Sequence, residues 1–371
     1  MHFSYITYPL VFHRPAGTSR GVLNDKKCWF VKLTSEDGRS GLGEVSFIPG
    51  LSLEDAGEIE TGLIKLCDQQ GWETEATLKK LSGQPGSEKI SKSQSTMSPL
   101  PGIRFALESA LADLENGGKR ILYASDFTRG YEGIPINGLI WMGSQSRLKE
   151  QIREKLELGF RVLKMKVGAM DMPDELEVLD WIRKEYPEGD LEIRLDANGA
   201  WTPAEALDRM HALEGFHIHS IEQPIMPGQE DKMAELCTIQ SIPIALDEEL
   251  IGINRPEDRR KLIEKIKPSY IILKPGLLGG LSEAEDWISI AEGMGTGWWV
   301  TSALESDIGL NAIAQWTFSM GINMPQGLGT GSLYCNNIPS PLVMEGDRLW
   351  HRPGKKWKLS IITEHEQSPG Q

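Results

Sequence analysis

Five charged residues, each closing a short apolar run, recur at nearly equal intervals between positions 166 and 274 of this 371-residue chain. Lys166 ends Leu163-Lys164-Met165-Lys166, Asp196 ends Arg194-Leu195-Asp196, and Glu222 follows Ile221 in Ile221-Glu222-Gln223-Pro224. Asp247 follows Ile242-Pro243-Ile244-Ala245-Leu246, and Lys274 follows Ile271-Ile272-Leu273. Successive members are about 25 to 30 residues apart, roughly one strand, one helix and their loops. Strand signals over 160–166, 191–196, 218–222, 242–247, 270–274 and 298–301 alternate with amphipathic stretches over 147–158, 174–185 and 231–238. Thr202-Pro203-Ala204-Glu205 adds a cap residue and a first-turn proline to a helix running to about Leu213. Such alternation predicts a parallel sheet covered by helices. With this many repeats the sheet is expected to close into a βα barrel, where strand ends converge on one mouth. No GxGxxG or GxxxxGK[ST] loop follows a strand, which counts against a nucleotide-binding open sheet.

The first third reads differently. Trp29-Phe30-Val31-Lys32-Leu33 and Gly41-Leu42-Gly43-Glu44-Val45 read as strands joined by a turn over 35–39. Helical patterns follow over 53–66 and 102–114, separated by a Ser/Lys-rich stretch over 83–99 that reads as an exposed loop. Residues 1–125 are therefore expected to form a small α+β domain and 126–334 the barrel. Part of 335–371 returns to complete the first domain, with strands over 342–349 and 357–361 and a polar, disordered end.

Composition removes whole classes of partner. A net charge of −14 argues against nucleic acid and anionic membrane surfaces, and no apolar run is long enough to span a bilayer. The start, Met1-His2-Phe3-Ser4-Tyr5, lacks a basic region followed by a long apolar one, and the chain is expected to be cytoplasmic. Cys28, Cys67, Cys237 and Cys335 are widely spaced, form no CxxC or Cys/His pair, and read as free thiols. A small-molecule carboxylate remains a suitable substrate, because a bound cation and lysines reverse the field locally. Oligomeric state is left open.

Asp196, Glu222 and Asp247 together suit a hard divalent ion, magnesium or alternatively manganese. Glu248 and Glu249 are alternative ligands or loop supports, and Asn198 could orient the ligands. Lys164 and Lys166 stand two apart on a strand and so share a face. Mutual repulsion is expected to lower the pKa of at least one, making it a base near neutral pH. Lys274 approaches from the far side of the barrel. A cation beside such lysines suits abstraction of the α-proton of a carboxylate.

With these residues in place, the chain resembles the enolase superfamily, a pattern the general rules of pKa tuning also describe. Lys-x-Lys, Asp-x-Asn, Glu-Gln-Pro and Asp-Glu are similar to the muconate-lactonizing subgroup. Two finer stretches, Arg194-Leu195-Asp196-Ala197-Asn198 and 273–280 followed by Thr301-Ser302-Ala303-Leu304-Glu305-Ser306, are similar to the dehydratases of menaquinone biosynthesis that form o-succinylbenzoate. The resemblance implies a lyase in which Lys166 takes and returns a proton, Lys274 stabilises negative charge and Lys164 supports the charge balance. It also implies a substrate-binding set of Arg194, Asn198, Ser302, Gly329 and Gly331, with the glycine backbone meeting a succinyl carboxylate. Capping loops near 18–23 and 46–51 would close over the substrate. N-acylamino acid racemase and dipeptide epimerase are the alternatives. An epimerase of this subgroup carries acids near the last barrel strand, where this chain has Gly327-Leu328-Gly329-Thr330-Gly331.

Overall fold

A computed structural model describes residues 1–18, 21–68, 100–168, 170–239 and 241–364. The chain opens with an antiparallel sheet of β1 (His2–Thr18), β2 (Gly21–Thr34) and β3 (Ser40–Ser46) in that spatial order. Alternation of side chains gives this sheet two buried faces. Trp29, Val31 and Leu33 face Ile59, Leu63, Ile103 and Leu107 of helices Ala56–Asp68 and Pro101–Glu115. Cys28, Phe30 and Leu42 face the opposite way, with Ile308, Tyr334 and Ile338. The predicted turn after β2 closes with the Gly38 N–H donating to Ser35 at 3.0 Å. Sequence reasoning missed β1 and the first half of β2, whose polar runs hide a long hairpin with a register shift between Val11 and Ala16. The Ser/Lys-rich stretch over 83–99 and the polar end beyond residue 364 lie outside the described residues.

Helix Pro101–Glu115 lies against β3 because two glycines let it. A β-carbon on Gly41 would overlap the carbonyl oxygen of Ala110, and one on Gly43 that of Ala106. Asp113 of the same helix accepts from the Leu42 N–H at 3.0 Å and pairs with Arg120 at 2.6 Å.

Seven parallel strands follow: β5 (Gly138–Ile140), β6 (Val162–Lys166), β7 (Glu192–Asp196), β8 (Ser220–Glu222), β9 (Ile244–Leu246), β10 (Tyr270–Leu273) and β11 (Gly297–Val300), hydrogen-bonded in sequence order. Two residues close the ring. Gln326 bridges to Ile136 beside β5, and Gly327 bridges to Thr301 just past β11. The eighth stave is thus a two-residue contact, completed by Asn137 N–H donating to Gln326 and Gly327 N–H donating to Val300. Helices between the strands start where the chain gives them caps. Thr202 and Glu205 form a reciprocal capping box ahead of Pro203–Leu213, and Ser306 caps Asp307–Ser319.

The returning segment differs from expectation. Residues 342–349 are two strands, β12 (Leu342–Glu345) and β13 (Arg348–His351), turned at Gly346 and paired with β4 (Ile134–Pro135) rather than with the first sheet. Residues 357–361 form no strand and lead into helix Ser360–Glu364. Their apolar residues serve packing instead: Trp357, Leu359 and Ile361 pack against the cluster that holds the β1 residues Ile6, Leu10 and Phe12. Among the described residues no helix is long and apolar enough to cross a membrane.

Gly43→Ala is expected to push helix Pro101–Glu115 off β3 and lower stability by about 2 to 4 kcal/mol. Urea denaturation of both proteins measures the difference.

Candidate active site

The barrel mouth gathers the charged strand ends. Lys164 and Lys166 stand on β6, Asp196 and Glu222 end β7 and β8, and Asp247 and Lys274 follow β9 and β10. In-register pairing sets Lys166 beside Asp196 and Asp196 beside Glu222. All three carboxylate residues are almost wholly buried. Lys164 donates to Asp196 at 3.0 Å and to Glu222 at 2.5 Å. Lys166 reaches Asp196 at 3.1 Å and Asn198 Oδ1 at 2.5 Å, and Lys274 pairs with Asp247.

This packing corrects the expected electrostatics. Burial opposes charge on Lys164, but Asp196, Glu222 and Asp247 outweigh it and hold the ammonium well above its ordinary pKa. Repulsion between ammoniums therefore does not lower Lys164, because carboxylates surround it. Burial likewise opposes charge on Lys274, and Asp247 overrides it upward. Asp196 resists the upward push of burial because Lys164, Lys166 and Lys274 hold it below the usual carboxylate range. Glu222 is pushed up to about 8, first by burial and then by the charge of Asp196.

Among the described residues no group of three acidic, histidine or cysteine side chains already stands as a metal cage. The carboxylates are neutralised by ammoniums instead. The donor set still fits a hard cation, for it is all oxygen, and Glu222 Oε1 and Asp247 Oδ1 are buried without a hydrogen-bond partner among the described residues. Glu248 accepts from Asn198 Nδ2 at 3.2 Å, and Glu249 accepts from Gln223 and the Gly228 N–H, holding loops. Gln223 anchors Asp247. Its Oε1 accepts from the Asp247 and Glu249 N–H groups at 3.1 and 3.2 Å, while its Nε2 donates to Ile225.

A cavity of about 150 Å³ opens above these groups. Lys164, Lys166, Asp196, Asn198, Lys274, Ser302 and Gly329 line it. Two expected substrate contacts do not. Arg194 lies two residues before Asp196, one layer deeper in the barrel, where it pairs with Glu192 at 2.7 Å and stacks on Trp299 at 4.7 Å. Gly331 backs onto Asp307 and Leu310, and its carbonyl accepts from Asn337. Thr330 lines the cavity in its place and shares a 2.7 Å hydrogen bond with Ser302.

Sequence reasoning also missed Asn137, Leu139 and Trp141, which line the wall from the first barrel strand. Their spacing of two was the available signal. Leu23, Ile48, Pro49 and Leu51 come from the first sheet and its following loop, within the two segments expected to approach the site, although residues 19 and 20 lie outside the described residues. Leu304 also lines the cavity; it stands within the stretch 301–306 that carries the resemblance, where sequence reasoning singled out Ser302 alone.

A model of the enolase C-terminal domain-like family matches residues 147–351. The o-succinylbenzoate synthase of Desulfotalea psychrophila is 48% identical over 364 residues, covering 94% of this chain and 98% of that one. The chain belongs to the enolase superfamily, in the o-succinylbenzoate synthase family. The crystal structure of MenC from Desulfotalea psychrophila superposes with a TM-score of 0.82 at 45% identity, covering 94% of this chain and 99% of that one. The o-succinylbenzoate synthase of Thermosynechococcus elongatus BP-1, complexed with Mg in its active site, has a TM-score of 0.68 at 24% identity over 88% of this chain and 92% of that one. At that distance the likeness is one of fold: the barrel and capping arrangement of the enolase superfamily.

Gln223→Leu in this member of the superfamily is expected to free the Asp247 turn and leave buried N–H groups unpaired, at a cost of about 2 to 4 kcal/mol. Chemical denaturation measures it, and a variant as stable as the parent would contradict the anchoring role.

Proposed function

We propose that this enzyme is a lyase that removes water from 2-succinyl-6-hydroxy-2,4-cyclohexadiene-1-carboxylate to give o-succinylbenzoate in menaquinone biosynthesis. The reading is carried by one observation above all: two strand-end lysines, Lys166 and Lys274, line the same cavity as the buried Asp196, in a chain 48% identical to an o-succinylbenzoate synthase. Asp196, Glu222 and Asp247 would hold a divalent cation, with magnesium the natural occupant of an all-oxygen set. When bound, such an ion supplies positive charge against the substrate carboxylate as negative charge grows there.

Lys166, as the neutral amine, takes the proton from the carbon bearing the carboxylate, and the C–H electron pair moves toward that carboxylate. The pair then returns to form the ring double bond as the C–O bond at the neighbouring carbon breaks. The Lys166 ammonium gives its proton to the departing oxygen, so water leaves and the lysine ends as it began. Aromatisation of the ring drives the step. Hydrogen bonds from Lys166 to Asp196 and Asn198 fix where its nitrogen stands. Lys274 presents an ammonium to the developing charge, and Lys164 offsets the buried carboxylates. Ser302, Thr330 and the backbone at Gly329 serve the succinyl end.

The same lysines could racemise an N-acylamino acid, so the test carries both substrates. Purified enzyme with magnesium and the cyclohexadiene carboxylate is expected to form the aromatic product. Lys166→Ala is expected to lose at least about 1,000-fold in kcat, with its melting temperature kept. Turnover of N-succinyl amino acids alone would favour the racemase. Magnesium at 100 times its Kd should stabilise the wild type by about 2.7 kcal/mol in thermal denaturation. Glu222→Gln should lose most of that increment, and an equal increment in the variant would remove Glu222 from the ligand set.

A further inference from the structure

Leu304 is the one residue of the cavity wall held in a left-handed backbone conformation for which its side chain is ill suited, with φ at 59°. Such strain persists only where surrounding groups impose it. Here three do. The Leu304 carbonyl accepts from Lys26 Nζ at 2.8 Å and from Tyr334 OH at 2.7 Å, and its N–H donates to Ser302 Oγ at 3.3 Å. Lys26 also donates to Ser46 Oγ at 2.5 Å, and Ser46 donates onward to the Ala303 carbonyl at 2.6 Å.

Lys26 stands on β2, three residues from Leu23 of the cavity wall, and is 2% exposed. Burial raises the pKa of nearby Glu305, and Lys26 draws it back down. Joining the first sheet to the barrel does not call for this residue. An apolar side chain of similar length would fill the space without burying a charge, which is the cheaper solution for attachment alone. What an apolar residue cannot do is donate to the Leu304 carbonyl and to Ser46 Oγ, which in turn holds the Ala303 carbonyl. The side chain so presented lines the cavity together with Leu51, Leu23 and Trp141, apolar groups of a wall that also holds Lys164, Lys166 and Lys274.

We propose that Lys26 is a positioning residue for substrate specificity: it holds Leu304 in its left-handed turn so that the leucine forms the apolar wall against the substrate ring. The kinetic half of this inference rests on the proposed dehydratase reading. The structural half does not.

The test is a set of four proteins: Lys26→Met, Tyr334→Phe, Leu304→Ala and Lys26→Met/Leu304→Ala. A crystal structure of Lys26→Met, or of Tyr334→Phe should the first fail to fold, is expected to show Leu304 out of the left-handed region. Leu304 unchanged in that structure overturns the proposal whatever the enzyme turns over. In steady-state assays, Lys26→Met is expected to raise KM for the cyclohexadiene carboxylate at least tenfold, with kcat within threefold. Leu304→Ala should raise KM similarly, and the double variant no further, because both changes remove one wall. Additive effects on KM, or a fall in kcat and melting temperature with KM unchanged, would make Lys26 a structural residue only. A wild type without turnover defeats the dehydratase reading, and the crystallographic arm then decides the positioning role by itself.

Discussion

Three lysines set against three acidic side chains at the ends of adjacent strands are the constraint around which the rest is arranged. Charges so deeply buried are tolerable only when each finds an opposite partner. The parallel register supplies those partners directly, since it sets Lys166 beside Asp196 and Asp196 beside Glu222. The barrel is therefore more than a support for its mouth. It fixes which charges face one another: the acids around Lys164 raise its pKa against burial, while burial and the charge of Asp196 raise that of Glu222.

Beneath the mouth, the barrel interior continues in layers. Arg194, Trp299, Ile272 and Ala245 fill the level below, so the charged groups rest on a packed floor rather than an open pore. Above it, the first sheet supplies what a barrel lacks, an apolar roof. Glu44 accepts from the Ser306 and Gly309 N–H groups at 2.9 and 3.0 Å, clamping β3 to the start of a barrel helix. Through that clamp and the Lys26 and Ser46 contacts, the first sheet reaches the chain immediately after β11. The chemistry thus belongs to the barrel, whereas the shape of the space above it is shared.

Much of this was legible in the residues. The interval between charged strand ends pointed to a barrel, and the i, i+2 spacing of Lys164 and Lys166 pointed both into one cavity, where the structure has them. Thr202-Pro203-Ala204-Glu205 announced a helix start that the structure caps reciprocally. Other readings failed for identifiable reasons. Arg194 shares the inward face of Asp196, and alternation reports the face of a strand but not the depth along it. The apolar residues over 357–361 looked like strand because packing and pairing draw on the same residue types. The left-handed turn at Leu304 could not be read from its stretch, since Lys26 and Tyr334 hold its carbonyl from remote parts of the chain.

The sequence by itself determined the order of elements and the residue types at the strand ends, because both follow from local periodicity and short-range backbone geometry. Only the tertiary structure decided how the ring closes, through two residues at Gln326 and Gly327, and which carboxylate meets which ammonium. It alone decided the direction of the Lys164 shift and the wall at Leu304. Those properties depend on groups far apart in the chain meeting where water is excluded, and no local pattern encodes such a meeting.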